Sequence, residues 1–370
     1  PGNFLLVKVS TDEGISGVGE CYSCTRTRAV EAAVNEIERY LIGKDPLMIE
    51  HHWQAMDRIP FHTGWILNCA MAGIEMALWD IAGKYHETPV YNLLGGRTRD
   101  KVRTYADVFY METTEEAIRR LTDFAEKGYT AVKTEFHLSK GGRILRDDHL
   151  VKENVDMIKA LRENVGYDVD IALDIGGACS PRNAIKLCRK LEDYLPLFVE
   201  EPARSDKIET LAKIAHNTSV PIAVGERIYS PLGFRRLLEK QVVDIIQPDI
   251  SMTGLLPLRK MAAMAETYEV GVAPHTPLSY VQWAASVQLD ACIPNFAIQE
   301  VIPEGSVRDP DPIRREIVVE PIPVEEGYIK IPSKPGLGVE LNEAAATKYP
   351  YRPFDRVLRL DESEAVSAAL

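Results

Sequence analysis

Six short apolar runs in this 370-residue chain stop on an ionisable residue. VDIALD ends in Asp174, FVE in Glu200, PIAVGE in Glu226, VVDIIQPD in Asp249, VGVAPH in His275 and NFAIQE in Glu300. A carboxylate taken out of water at the end of a buried strand must neutralise or find a partner. Asp174, Glu200 and Glu226 come from consecutive runs, and the sequence places one cation beside them, Arg227. Three converging carboxylates stay ionised together only around a bound cation. An all-oxygen donor set suits a hard one, octahedral Mg2+ at about 2.0–2.1 Å. Cys and His, which would speak for zinc, are missing from these three positions. Glu201 alternates to the other side of its strand, toward the helix layer or an ion pair.

The ladder has one period. Successive rungs stand 26, 26, 23, 26 and 25 residues apart, a length that holds one strand, one loop and one helix. The intervening segments carry helix marks. Val151, Val155, Ile158, Leu161 and Val165 step by four and three along one face. Ser180 followed by Pro181 is an N-cap with proline at the first helical position. TGLLPLRKMAAMAETY is a further helical stretch with Pro257 in its first turn. Such alternation predicts a parallel sheet covered by helices, a barrel or an open doubly wound sheet. In a barrel all strand C-termini meet at one face, so the six rungs converge; an open sheet would spread them along an edge. Neither G-x-G-x-x-G nor G-x-x-x-x-G-K-[ST] occurs, so an open nucleotide-binding sheet lacks its motif. The expected fold is α/β, a TIM-type (β/α) barrel spanning about 102–302. A solvated helix N-cap explains any single rung, but not the series.

The flanks predict a second unit. FLLVKVSTDEGISGVGE reads as two strands joined at Asp12-Glu13-Gly14, followed by helices over 28–41 and 68–84. EEGYIKIPSKPGLGVEL is strand-like with Gly/Pro turns and is expected to rejoin the N-terminal part. The expected organisation is an α+β capping domain at 1–100, the barrel at 101–315, and a C-terminal segment at 316–370 returning to the cap. A further strand is expected to precede Pro1.

Composition bounds the partners. A net charge of −12 disfavours nucleic acid and anionic membranes, which both want a basic stripe. A small anionic substrate stays open, because a metal or a lysine can reverse the local sign. No signal peptide and no apolar run of about 18 residues is expected, which makes the cytoplasm the expected location. Of the six cysteines, Cys21 and Cys24 form a lone C-x-x-C, read as part of a strand-to-helix loop rather than a zinc or redox pair.

DEGISGVGE (12–20), AGIEMALWDIAGK (72–84), PVYNLLGG (89–96), AVKTE (131–135), Asp174, EEP, GER, QPD, PHTP and PGLG (335–338) follow one another along the chain. In this order they resemble the enolase superfamily, mandelate racemase subgroup, and most of all its sugar-acid (aldonate) dehydratases, over essentially the whole length. The resemblance implies a modified (β/α)7β barrel under an α+β cap. It implies Mg2+ ligated by Asp174, Glu200 and Glu226, an acid–base dyad of Asp249 and His275, and Glu300 hydrogen-bonded to the substrate carboxylate. It further implies removal of a proton alpha to a carboxylate through a metal-stabilised enediolate, and a homo-oligomer built on dimers, up to an octamer. The residues agree with that chemistry. An α proton is too weakly acidic for an unaided base, its dianion needs a metal and preorganised donors, and His275 titrates near neutrality.

Two positions depart from the subgroup. Its racemases carry K-x-K on the second barrel strand, where this chain reads Lys133-Thr134-Glu135. Residues i and i+2 share a face, so both side chains are expected in the site. Lys133 then offers charge to the substrate carboxylate or pairs internally with Glu135, and Glu135 stands where a lysine base would be. The second departure is Gly176, where relatives carry Asn or, in some sugar-acid dehydratases, a catalytic His. Proton removal and leaving-group protonation then both fall to His275. This favours syn-elimination of water from an aldonate such as galactonate, gluconate or a pentonate, giving a 2-keto-3-deoxy acid. The alternatives are a racemase or epimerase with Glu135 as an unusual second base, a metal-free glycosidase using two of the carboxylates, and a non-catalytic relative. Specificity is expected in the capping loops, including HHWQAMDRIPFHTGW (51–65), whose His51, His52 and His62 either reach a sugar hydroxyl or serve packing.

Overall fold

Short buried strands alternating with helices close into a barrel from Lys101 onward. The computed structural model describes residues 3–61, 63–108, 113–135, 139–140, 143–144, 147–306 and 312–353. The chain opens with β1 (Leu5–Ser10) and β2 (Ser16–Cys21), antiparallel from Leu5↔Cys21 to Ser10↔Ser16. Helices α1 (Thr27–Leu41), α2 (Ile49–Arg58) and α3 (Trp65–Tyr85) follow.

The remaining strands are β3 (Lys101–Asp107), β4 (Ala131–Glu135), the small hairpin β5 (Ser139–Lys140) and β6 (Arg143–Ile144), β7 (Asp170–Asp174), β8 (Phe198–Glu200), β9 (Ile222–Val224), β10 (Ile245–Ile246), β11 (Gly271–Val272), β12 (Gln299–Val301) and β13 (Tyr328–Lys330). β3, β4 and β7 to β11 pair in parallel in that order, and β12 lies on the other side of β3. Val272 bridges Phe296 in parallel, with Val272 N donating to Asn295 O at 2.9 Å and Ala297 N to Val272 O at 2.8 Å. That bridge closes the ring. The strand-to-helix intervals are set by caps: Ser180 and Ser230 each accept a backbone N–H from the first turn of a helix that begins with proline. After β12 come the one-turn helix Ile313–Glu316 and then β13, which pairs antiparallel with the start of β3, at Arg103↔Tyr328 to Lys101↔Lys330.

The period of two along each strand stacks the barrel interior in layers. Tyr105, Ala131, Ala172, Phe198, Ala223, Ala273 and Ile298 fill one layer, where four alanines leave room for the Tyr105 and Phe198 rings to meet edge-on at 6.0 Å. Two residues further on stand Asp107 over Tyr105, Lys133 over Ala131, Asp174 over Ala172 and Glu200 over Phe198. The polar site is thus the apolar layer shifted by one strand repeat.

The N-terminal unit is built on α3, which packs against β2, α1 and α2 at once. By length and composition α3 is apolar enough to cross a membrane, contrary to the expectation that no such run exists, and most of it is buried inside the protein. A helix covered on all sides is apolar on all sides, which is the physical reason for the resemblance to a span. Its two buried acids do specific work: Glu75 accepts the backbone N–H groups of Leu255 and Leu256 at 2.7 and 2.8 Å, and Asp80 accepts those of Val18 and Leu337 at 3.0 and 2.8 Å. The C-terminal segment meets the N-terminal one again where Asn3 donates to Arg352 O at 2.7 Å.

β2 and α3 touch through glycines. A Cβ on Gly19 would lie 2.0 Å from the carbonyl oxygen of Gly73, against backbone that has nowhere to go. Gly19→Ala is therefore expected to destabilise the fold by about 3 kcal/mol or to prevent its accumulation. Thermal unfolding reads the result, and a wild-type midpoint would contradict the packing described.

Candidate active site

Glu200 is fully buried at the end of β8, with Asp174 in register on β7 and Glu226 just beyond β9. Its Oε2 accepts Lys133 Nζ at 2.9 Å and Gln247 Nε2 at 2.8 Å. Its Oε1 is buried and accepts no hydrogen bond among the described residues. Asp174 Oδ1 accepts Gly176 N at 2.7 Å, and Glu226 Oε1 accepts Arg227 Nε at 3.0 Å. Arg227, the cation that the sequence places beside the three acids, is thus joined by Lys133. Lys133 was expected in the site, but its pairing with Glu200 and Glu300, 67 and 167 residues away, comes only from the fold.

Charge in this cluster is only partly balanced. Burial, then Glu200 and Glu226, push Asp174 well above the ordinary carboxylate range. Burial raises Glu200 although Lys133 opposes it. Glu226 is lowered: burial works against ionisation, but His275 and Arg227 outweigh it. Among the described residues no three such side chains are gathered tightly around one point. Like charges spread apart and recruit whatever cations are near. The donor set nevertheless fits a hard divalent cation. All three groups offer oxygen, two of them are disfavoured as anions, and Glu200 Oε1 is a buried acceptor lacking a donor.

Next along the sheet, Asp249 and His275 form a parallel bridge past β10 and β11. His275 Nδ1 lies 2.8 Å from Asp249 Oδ2, and its Nε2 lies 3.3 Å from Glu226 Oε2. Since an ionised carboxylate only accepts, Nδ1 carries the proton and Nε2 is turned toward the oxygen cluster. Burial alone would lower the imidazole, but Glu300, Asp249 and Glu226 reverse this and hold it at about 10. At that value both ring nitrogens carry protons and Nε2 donates toward Glu226; a divalent cation at Glu226 would withdraw part of that attraction and free Nε2 to act as a base. The ring of Tyr22, just after β2, stands 6.1 Å from the His275 ring, with Trp65 6.3 Å behind it. The N-terminal unit therefore roofs the histidine.

Glu300 closes the circle on β12. Its Oε1 accepts Lys133 Nζ at 2.9 Å and its Oε2 accepts Thr276 N at 2.5 Å. Burial opposes its charge, yet Lys133 and His275 bring it down to about 2. Lys133 itself is pulled down by burial but lifted well above its usual range by Glu200 and Glu300. Glu135, half-buried at the end of β4, stands in register with Asp174 and is one of the charges that push Asp174 up. Glu201 turns away at a positive φ of 42° and is held by Ser205 Oγ at 2.7 Å and Gly225 N at 3.1 Å.

Asp107 was not among the expected residues. It ends β3, lies 3.8 Å from Lys133 and hydrogen-bonds Glu300, which requires one proton shared between two carboxyl groups. VRTYAD carries the same signal as the other rungs. His52 is a packing residue, buried between Tyr40 OH at 3.1 Å and Asp45 O at 2.7 Å. His51 is exposed and lies edge-on to it at 5.5 Å, and His62 lies outside the described residues. All six cysteines are free thiols, with Cys24 in the loop between β2 and α1.

Comparison with known proteins agrees along most of the chain. Residues 2–95 match the N-terminal domain of the mandelate racemase/muconate lactonizing enzymes, and residues 115–345 match the enolase C-terminal domain-like family. A D-galactonate dehydratase of Ralstonia pickettii (strain 12J) is 40% identical over 350 residues, covering 93% of this chain and 90% of that one. One from Cronobacter sakazakii is 38% identical over 355 residues, with the same coverage. The crystal structure of an enolase from Agrobacterium radiobacter, with Na and L-malate bound, superposes with a TM-score of 0.90 at 32% identity, covering 98% of this chain and 95% of that one.

Proposed function

The chain is a dehydratase of the mandelate racemase/muconate lactonizing enzyme family in the enolase superfamily, and we propose that it removes water from an aldonic acid with Mg2+ as its cofactor. The observation that carries this reading is the place of His275. Its Nε2 faces the oxygen cluster 3.3 Å from Glu226, its Nδ1 is engaged by Asp249, and Gly176 brings no side chain to the opposite rim. Bound to Asp174, Glu200 and Glu226, Mg2+ would neutralise the substrate carboxylate and bring the α proton within reach of a side-chain base.

His275 Nε2 takes that proton from C2, while Asp249 stabilises the imidazolium. The electron pair is first delocalised onto the carboxylate and then forms the C2–C3 double bond as the C3–O bond breaks. The same nitrogen returns its proton to the departing hydroxyl, which leaves as water from the same face. The resulting enol takes a solvent proton at C3 and becomes the 2-keto-3-deoxy acid. Glu300, ionised and acceptor-only, can meet the substrate carboxylate directly once it takes up a proton, and its neighbour Asp107 already shares one with it. The D-galactonate dehydratases among the relatives put galactonate first among substrates, and L-malate in the Agrobacterium radiobacter structure is likewise a 2-hydroxy acid. A cytoplasmic location and a homo-oligomeric state belong to the same proposal and rest on the family alone.

A panel of aldonates incubated with enzyme and Mg2+ tests the proposal by 2-keto acid formation. Galactonate or a stereoisomer of it is expected to give product, EDTA to stop it and Mg2+ to restore it. Turnover that persists in EDTA, or no keto acid from any aldonate, would contradict it.

Lys133 gives a separate prediction. Lys133→Met leaves Glu200 and Glu300 without their shared cation and takes charge from the substrate end of the site. Both KM and kcat are expected to suffer, with kcat/KM down at least about a hundredfold. Wild-type kinetics would show that the lysine serves neither substrate nor transition state.

A further inference from the structure

Asp249 holds His275 with only one of its oxygens. Oδ2 receives the imidazole, while Oδ1 accepts Ser251 N at 2.7 Å and Gln282 Nε2 at 2.9 Å. Gln282 sits in the first turn of the helix Tyr280–Asp290 and is fully buried. Its amide has one possible orientation, because Oε1 accepts Leu278 N at 2.8 Å and Nε2 must then face Asp249.

That helix turn is fixed from the N-terminal unit. Oε2 of Glu20, on β2, accepts Ser279 Oγ at 2.6 Å, Ser279 N at 3.2 Å and Gln282 N at 3.1 Å. From the other side Arg314 Nε donates to Leu278 O at 2.8 Å. A continuous chain of hydrogen bonds thus runs from Glu20 through Gln282 and Asp249 to the His275 ring.

We propose that Gln282 is a positioning residue for the Asp249–His275 dyad, an inference that rests on His275 being the base. Two donors on Oδ1 stop the carboxylate from rotating about its Cβ–Cγ bond. Oδ2 then stays in the imidazole plane, Nδ1–H stays fixed and Nε2 keeps its aim at the substrate. Without Gln282 the substrate still finds its cation and lysine, so the loss falls on kcat rather than on KM.

Gln282→Met keeps the length without the donor, and Gln282→Asn keeps the amide but falls one methylene short. Each is expected to lower kcat at least about tenfold, with KM and Mg2+ affinity within about twofold of wild type. Circular dichroism checks the fold of both. The low-field proton resonance of His275 Nδ1–H, assigned by its loss in His275→Asn, is expected to move in both variants. Wild-type kcat with an unmoved resonance in either folded variant overturns the proposal, as does a rise in KM alone. Turnover surviving in His275→Asn while the resonance still moves in Gln282→Met would sink the base assignment and leave the positioning role standing.

Discussion

Asp174→Ala, Glu200→Ala and Glu226→Ala are each expected to abolish turnover and to weaken Mg2+ binding by more than about a hundredfold, with the fold retained. Outer-shell partners of a metal typically carry 10–100-fold in affinity, and a direct ligand carries more. The fold should survive because these side chains stand above the packed layer of Tyr105 and Phe198 and contribute nothing to it. Two of the three removals also take away a buried carboxyl that burial disfavours as an anion, with Glu200 adding to the effect at Asp174. Glu200→Ala also strands one contact of Lys133, which keeps Glu300 at 2.9 Å. Calorimetric titration with Mg2+ decides the matter residue by residue. Unchanged affinity in any variant removes that residue from the ligand set.

His275→Asn is the second large effect. It is expected to abolish dehydration and to stop exchange of the substrate α proton with D2O, while Mg2+ still binds. Asparagine preserves a donor toward Asp249 but cannot take a proton. Glu135→Gln should retain α-proton exchange, because Glu135 ends β4, three strands along the ring from β9 and from Glu226, the neighbour of His275, and stands in register with Asp174. The reverse pattern, exchange surviving in His275→Asn and vanishing in Glu135→Gln, would make Glu135 the base.

Much of this site is legible in the sequence for a simple reason. A buried strand that ends on an acid repeats every 23–26 residues, and only a barrel brings such ends together. Strand order then places Asp174 beside Glu200 without further information. Lys133 was legible as a site residue but not as the partner of Glu200 and Glu300, since that needs the register of β4 against β7 and the closure through β12. Asp107 carries the same strand-end signal, but the β5–β6 hairpin stretches the interval from Glu135 to Asp174 to 39 residues and hides the period upstream. Gln282 gave no signal at all. Its helix is buried on every face, so its polar residues show no periodicity that marks one of them as special.

One experiment reaches the central claim directly: the reaction run in D2O with galactonate and Mg2+, followed by proton NMR. Syn-elimination through His275 predicts a 2-keto-3-deoxy acid carrying one deuterium at C3. Deuterium appearing at C2 of recovered substrate or its epimer, with no keto acid formed, would make the enzyme an epimerase and contradict the account.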